Sequence, residues 1–263
     1  QPPPVIVCGD FNSLPRRGDG GVHDFWTLGR GDATEVRDRI WNFYADEALA
    51  DAAAGALPGK EGMGRRQPRY ILDYTLNRLC RWLRLLGLDA ALETEEEERA
   101  RCGARGPGAR IPIFDRCRDE RRALVTTSSR LVSRKECPPA AFLIETSGGS
   151  STVERSLWSL LRSHGVLLRP ARFLTVCVKC NGRINEVTSE SERRDAYACK
   201  AAPATAKPLF RCDGGGCGQY YWWNEKAASS AGRAKSMCEG LFRRCVREGV
   251  KYDGEDMGMF KEM

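Results

Sequence analysis

The sequence lacks any apolar run that approaches the roughly 18 to 20 residues needed to cross a bilayer. Charged residues make up 29% of the chain, and the mean hydropathy is -0.47. We therefore expect a soluble protein that does not enter a membrane.

A secretory signal is also absent. The chain begins at Gln1, and its opening has neither a charged start followed by an apolar stretch nor a small-residue cleavage site. We expect a fragment of a longer protein from a reducing intracellular compartment, the cytoplasm or the nucleus. Its twelve cysteines are then expected to be free or metal-bound rather than paired in disulfides.

Acidic residues are outnumbered by basic ones, 35 to 42, which gives a formal net charge of +7. Such a balance favours approach to a polyanion such as nucleic acid. Many proteins that bind no RNA carry a similar charge, so this feature alone identifies no partner.

Strand patterns alternate with helix patterns in the middle of the chain. A helix with leucines on one face and arginines on the other is expected to end at Gly87. This alternation predicts an α/β fold with a parallel sheet flanked by helices. The predicted strands are Val5–Cys8, Tyr70–Leu72, Ala90–Leu92, Ala123–Thr126 and Phe142–Ile144.

Two close cysteine pairs form the strongest local motif. Cys177-x2-Cys180 is followed by Cys212-x4-Cys217, and four thiolates in two short loops suit a tetrahedral structural zinc. The alternative is a set of ordinary thiols in a loop-rich region. Cys199 lies between the pairs and is a possible substitute ligand.

Asp73 directly follows a predicted strand. An acid at the carboxyl edge of a parallel sheet lies where such sheets bind ligands, and several acids together there can hold Mg²⁺ or Mn²⁺. Asp73 is equally well suited to be a helix N-cap, and the residues alone do not separate the two roles.

The stretch ILDYTLNRLCRWLRLLGLD resembles the opening of the Mut-seven C-terminal RNase family. ERRALVTTSSRL, FLTVCVKCNGRINEV and FRCDGGGCGQYYWW resemble its later motifs, in the same order. The resemblance spans about residues 67 to 225. It implies a PIN-like domain, a zinc ribbon and metal-dependent hydrolysis of RNA by clustered acids.

The resemblance also implies which acidic residues would hold the catalytic metal. Asp73 matches the first one, and the run Glu95–Glu98 lies where a second is expected, with Glu95 and Glu96 as candidates. Where the family commonly has an aspartate, in a threonine-x-aspartate pattern, this chain has Ser128. We expect Asp119 to compensate, with two further candidates, Asp115 and Glu120.

The front segment, VIVCGDFNSLP, resembles the GDFNS motif of the endonuclease/exonuclease/phosphatase superfamily. That resemblance gives Asp10 and Asn12 roles in activating a nucleophile and orienting a phosphate. The other motifs of that superfamily are absent from residues 1–54, so we expect this segment alone to be inactive.

The resemblances, the composition and the helical spacing together predict five regions. They are a partial phosphatase-like segment at 1–54, a linker at 55–67, the PIN-like domain at 68–172, the ribbon at 173–225, and a basic amphipathic helix with a tail at 226–263.

RNA-contacting residues are predicted in two places. Arg78, Arg81 and Arg84 form a basic stripe, and Tyr221 and Trp222 can stack on bases of single-stranded or structured RNA. The plainer alternatives are a solvated helix face for the arginines and packing around zinc for the aromatic residues.

The leading hypothesis is therefore an Mg²⁺- or Mn²⁺-dependent ribonuclease with a structural zinc. Two alternatives stay open. One is a catalytically inactive RNA-binding or adaptor protein, because Ser128 lacks the charge needed to hold a divalent ion. The other is an RNA-targeting appendix of a phosphodiesterase resembling deadenylases.

Overall fold

The structure is a computed structural model that describes residues 5–8, 67–104, 106, 108–144, 152–204, 208–222 and 230–254, with the backbone alone at 5–8, 152 and 230–233. The chain divides into two compact units. The first comprises residues 1–79 and 92–166, and the second comprises residues 80–91 and 167–263. No helix in the described part of the chain has the length and apolarity of a membrane span.

Five strands form one sheet in the order β1-β5-β4-β2-β3, and the sheet strands β1, β5, β4 and β2 pair in parallel. This arrangement confirms the predicted parallel α/β sheet. The strands are β1 (Val5–Cys8), β2 (Tyr70–Leu72), β3 (Ala90–Leu92), β4 (Ala123–Thr126) and β5 (Ala141–Ile144).

Helices connect the strands, and local signals explain where they begin. Thr94 and Glu97 form a capping box at the start of α2, and Pro112 occupies the first turn of α3. The helices are α1 (Asn77–Leu85), α2 (Glu95–Gly103), α3 (Pro112–Asp119), α4 (Ser129–Val132) and α5 (Thr152–Ser163).

The core of the first unit lies on the sheet, whose central strands are buried along their whole length. Apolar runs buried on both faces are typical of parallel sheets. The largest fully buried side chains in this unit include Tyr70, Phe114, Phe142, Ile113 and Leu124.

The second unit contains a three-stranded antiparallel sheet in the order β6-β7-β8. Its elements are β6 (Ile184–Glu186), α6 (Glu190–Ala198), β7 (Leu209–Cys212), β8 (Tyr220–Trp222) and α7 (Ser230–Arg247). In α7 the side chains Cys238, Leu241, Phe242 and Cys245 are buried. Phe242 packs edge-to-face against Phe173, so this face of the helix is part of the core of the unit.

Gly87 adopts a φ of +72°, which favours glycine. A Cβ atom there would lie 2.2 Å from the carbonyl oxygen of Arg172. Glycine is therefore required both by the backbone conformation after α1 and by the close approach of another backbone segment.

His164 lies in the core of the first unit, beside Tyr70 and Phe142. Its Nδ1 is 3.1 Å from the hydroxyl of Tyr70, and its ring stacks on the Tyr70 ring. Within the described residues its Nε2 is buried without a hydrogen-bond partner. Burial lowers the pKa of His164 to about 3, so the imidazole is neutral in the folded protein.

We expect this histidine to make folding stability depend on pH. The pKa is lower in the folded chain than the ordinary value of about 6.5 in an unfolded one. The unfolded chain therefore binds more protons below that pH, and the stabilisation present above about pH 6.5 is lost as the pH falls towards 3. Urea unfolding should show a free energy about 2 kcal/mol lower at pH 5 than at pH 7.

The matched variant is His164→Phe, which keeps a buried ring but removes the titrating group. We expect its unfolding free energy to change little between pH 7 and pH 5. An equal pH dependence in both proteins would assign the effect to other groups.

Candidate functional site

Two buried carboxylates mark the carboxyl edge of the sheet. Asp73 follows β2 directly and is 2% exposed, and Glu93 follows β3 directly and is 1% exposed. The backbone N–H of Glu93 donates to the carbonyl oxygen of Leu72 at 2.8 Å, which aligns the two strand ends. We call Asp73 and Glu93 the edge acids.

Asp73 joins the ends of β2 and β4. Its Oδ1 accepts hydrogen bonds from the backbone N–H and the hydroxyl of Thr75. Its Oδ2 accepts from the hydroxyl of Thr126 at 2.6 Å and from the backbone N–H of Thr127 at 2.9 Å. Four donors fill the acceptor sites of the carboxylate, and the bond from Thr75 N–H makes Asp73 the N-cap of the short 3-10 turn Tyr74–Leu76.

Glu93 is held by a cation. Arg101, in the last turn of α2, donates to both of its oxygens, at 2.6 and 2.9 Å. The backbone N–H of Tyr74 donates to Oε2 at 3.0 Å. The hydrogen bonds that Arg101 donates to Glu93 raise the pKa of Arg101, and the nearby charge of Asp73 adds to this effect. Arg101 is therefore the counter-ion of Glu93.

Ser128 lies just after β4, where the family resemblance leads us to expect a third acid. Its Oγ accepts a hydrogen bond from the backbone N–H of Leu131 at 3.2 Å, so it is the N-cap of α4. Its own backbone N–H donates to the hydroxyl of Thr126. A serine performs this capping role well, but it supplies no negative charge.

The predicted second and third acids lie elsewhere. Glu95 and Glu96 are exposed in the first turn of α2, and Glu95 pairs with Arg99. Asp119 is exposed at the end of α3, four residues before β4, and so lies towards the amino edge of the sheet. Asp115 and Glu120 are paired with arginines.

Sequence analysis missed Glu93. The signal was available, because Glu93 follows a strand in the same way that Asp73 does. The run Glu95–Glu98, two residues further on, is the more conspicuous acidic pattern in the sequence. Asp10 and Asn12 lie outside the described residues, and their roles stay predictions.

The edge as described does not fit a divalent ion. Mg²⁺ and Mn²⁺ bind free carboxylate oxygens, whereas the four acceptor sites of Asp73 are filled and both oxygens of Glu93 are bound by Arg101. Arg101 places a positive charge beside Glu93, and the uncharged Ser128 lies where the family commonly has an aspartate. Within the part of the chain that the structure describes, the cysteine cluster is the one group of three or more candidate ligands close enough to hold a metal.

That cluster consists of the four predicted cysteines, whose Sγ atoms all lie within 4.8 Å of one another. The Sγ atoms of Cys180 and Cys212 are 3.3 Å apart, and those of Cys177 and Cys217 are 3.9 Å apart. Zinc–sulfur bonds of about 2.3 Å in a tetrahedron require sulfurs about 3.8 Å apart. The cluster therefore fits a zinc ion.

Glycines make room for this cluster. The backbone N–H groups of Gly182 and Gly214 donate to the Sγ atoms of Cys180 and Cys212, both at 3.3 Å. A Cβ atom on Gly182 would lie 2.7 Å from the Cys212 sulfur. Cys199 is exposed at the C-cap of α6 and is not a member of the cluster.

Hydrogen bonds favour the charged thiolate of Cys177. Burial alone would raise its pKa, but the hydroxyl of Tyr221 and the backbone around Cys180 and Lys179 lower it to about 7. The Tyr221 hydroxyl is 3.0 Å from the Cys177 sulfur. A thiolate is the form that binds metal.

The predicted RNA-contacting residues divide into two groups. Arg78 and Arg81 are exposed on α1. Arg84 is buried, and it donates to the carbonyl oxygens of Ala90 and Val178. Its place in an exposed stripe was therefore wrong, because its guanidinium is used to fix backbone segments of the second unit.

The two aromatic residues of the ribbon that were predicted to stack on bases make contacts within the ribbon. Tyr221 bonds the Cys177 sulfur, and Trp222 packs against a small core formed by Val187, Ala196, Ala202 and Leu209. Both side chains are only partly exposed. Tyr221 therefore matches the plainer alternative, packing around the metal cluster, and Trp222 belongs to the core of the ribbon.

A comparison with protein-family models matches residues 68–231 to the Mut7-C RNAse domain. No curated protein and no solved structure gives a match. The match covers more than half of the 263 residues and contains both the edge acids and the cysteine cluster. It begins at residue 68 and does not extend to the GDFNS segment. The chain belongs to the Mut7-C RNAse domain family.

Proposed function

We propose that this chain binds RNA at the carboxyl edge of its parallel sheet and, with the edge arranged as described, holds the RNA without hydrolysing it. Membership of an RNase family supports RNA as the ligand. The absence of hydrolysis is inferred from the contacts of the edge acids. The oxygens of both already accept protein donors, and the third acid is replaced by Ser128.

Parallel sheets bind ligands at the carboxyl ends of their strands. Here two helical segments begin at that edge, the turn that leads into α1 and the short helix α4. Arg78 and Arg130 are exposed within the first turn or two of these segments. Their positive charges support attraction of a phosphate backbone, and the net charge of +7 acts in the same direction.

A structural zinc completes the proposal. A site closed by four thiolates has no open position for a reacting water, so it stabilises the fold and does not catalyse. The ion would be held by Cys177, Cys180, Cys212 and Cys217.

Metal-dependent hydrolysis is the second candidate function, and one observation favours it. Two carboxylates buried at adjoining strand ends are unusual, because acidic side chains are rarely fully buried. For Glu93 to take part in hydrolysis, Arg101 would first have to release it.

One experiment separates the two candidates. The zinc-loaded chain is titrated into fluorescently labelled single-stranded RNA, and anisotropy reports binding. The same mixtures are then incubated with Mg²⁺ or Mn²⁺, without a chelator that would remove zinc, and cleavage is followed on a gel. We expect saturable binding, weaker for duplex RNA, and no cleavage above the background of the Asp73→Asn variant.

Glu95→Gln is the matched control, because it removes an exposed acid from the same region. Melting temperatures establish that each variant is folded. Mn²⁺-dependent cleavage that survives in Glu95→Gln but disappears in folded Asp73→Asn would favour the nuclease. Absence of binding would contradict an RNA-binding role altogether.

A further inference from the structure

Tyr74 is one of four large hydrophobic side chains that are exposed within the described residues, and it directly follows the edge acid Asp73. It is 43% exposed. An aromatic ring in water at the ligand-binding edge of a parallel sheet has a large apolar surface available to a ligand. This position distinguishes Tyr74 from the other three.

The backbone of Tyr74 is fixed on both sides. Its N–H donates to Glu93 at 3.0 Å, and the neighbouring Thr75 is bonded to Asp73 through both its N–H and its hydroxyl. The ring therefore extends from a rigid turn. A tyrosine side chain with two rotatable bonds on such a turn loses little conformational entropy when it binds.

A cation accompanies the ring. Arg78 lies four residues after Tyr74 and is exposed within α1. Tyr74 belongs to the 3-10 turn directly before α1, so the ring and the cation are separated by about one helical turn of chain. Proteins that bind single-stranded nucleic acid combine cations that follow the backbone with aromatic rings that stack on bases.

We infer that Tyr74 is a base-stacking residue for single-stranded RNA at the carboxyl edge. This inference rests on the proposed RNA-binding function and names the ligand class of that site. The edge acids then have a definite role, because their hydrogen bonds hold the turn that presents the ring. It also moves the stacking surface away from Tyr221 and Trp222, whose side chains pack within the ribbon.

The test compares the affinities of Tyr74→Ala and Tyr74→Phe for labelled single-stranded RNA. We expect the alanine variant to bind roughly 5- to 150-fold more weakly, which corresponds to the loss of one base-stacking contact. The phenylalanine variant should bind like the wild type, because it keeps the ring. Tyr252→Ala is the matched control, since Tyr252 is 42% exposed but lies in the second unit.

Two further measurements separate stacking from charge. The dependence of affinity on salt should be unchanged in Tyr74→Ala, whereas Arg78→Gln should lower its slope by about one. RNA with abasic positions should bind Tyr74→Ala and wild type equally, because it offers no base to stack.

Equal affinity of wild type and folded Tyr74→Ala for intact RNA would overturn the inference and leave the RNA-binding function in place. The same holds for a loss that persists with abasic RNA. If the wild type binds no RNA, the RNA-binding function and the stacking role of Tyr74 fail together. The titration of the wild type alone reveals that outcome.

Discussion

Replacement of Cys212 by serine will abolish zinc binding and unfold the ribbon. The ribbon has only a small core of its own, formed by Val187, Ala196, Ala202 and Leu209. Zinc contributes roughly 10 to 16 kcal/mol to the folding of small metal modules, more than the total stability of most domains. Loss of one of four thiolates removes most of that contribution.

The measurements are the zinc content per chain and hydrogen exchange of the β6 and β7 amides. We expect one zinc and slow exchange in the wild type, and no zinc with fast exchange in Cys212→Ser. Cys199→Ser is the matched control, because Cys199 is exposed and lies outside the cluster. It should keep the zinc, and a Cys212→Ser protein with full zinc and unchanged exchange would contradict the assignment.

Replacement of Arg101 by alanine will destabilise the first unit by about 3 to 5 kcal/mol, the typical cost when one partner of a buried ion pair is removed. The side chain of Glu93 is fully buried, and that of Arg101 is 16% exposed. Without the guanidinium, the carboxylate keeps only the backbone N–H of Tyr74. It must then either stay charged in a poorly solvated site or take up a proton.

Arg99→Ala provides the comparison, because Arg99 lies on the same helix and pairs with Glu95, and both side chains are exposed. Exposed pairs contribute about 0 to 1 kcal/mol, so this variant should unfold close to the wild type in urea. Equal destabilisation by the two substitutions would show that Arg101 is not the counter-ion of Glu93.

Sequence periodicity predicted the sheet because parallel strands are buried on both faces and read as short apolar runs. The strands β2, β3 and β4 have the predicted bounds, and β5 begins one residue earlier, at Ala141. The cysteine cluster was also predictable, since ligand spacing reflects the geometry of a tetrahedral ion directly.

Side-chain partners were harder to predict. Arg84 lies on the polar side of α1 by helical spacing, yet it is buried, and the carbonyl oxygens of Ala90 and of the distant Val178 accept its hydrogen bonds. Glu93 was missed for a related reason. Its place at a strand end can be read from the sequence, but its pairing with Arg101 is not visible there.

The role of Ser128 could be predicted only in part from the sequence. The sequence identifies a serine where an aspartate is common in the family. The structure adds that this serine caps α4, that Arg101 pairs with Glu93, and that Asp73 accepts four protein donors. Together these contacts favour an edge that binds RNA over one that hydrolyses it.

The most direct test is photochemical crosslinking of the zinc-loaded chain to single-stranded RNA that contains 4-thiouridine, followed by mass spectrometry of the crosslinked peptides. If RNA binds at the carboxyl edge of the sheet, we expect crosslinks in the segments that follow β2 and β4, around Tyr74–Arg78 and Ser128–Arg130. Crosslinks confined to the ribbon, around Tyr220–Trp222, would contradict it.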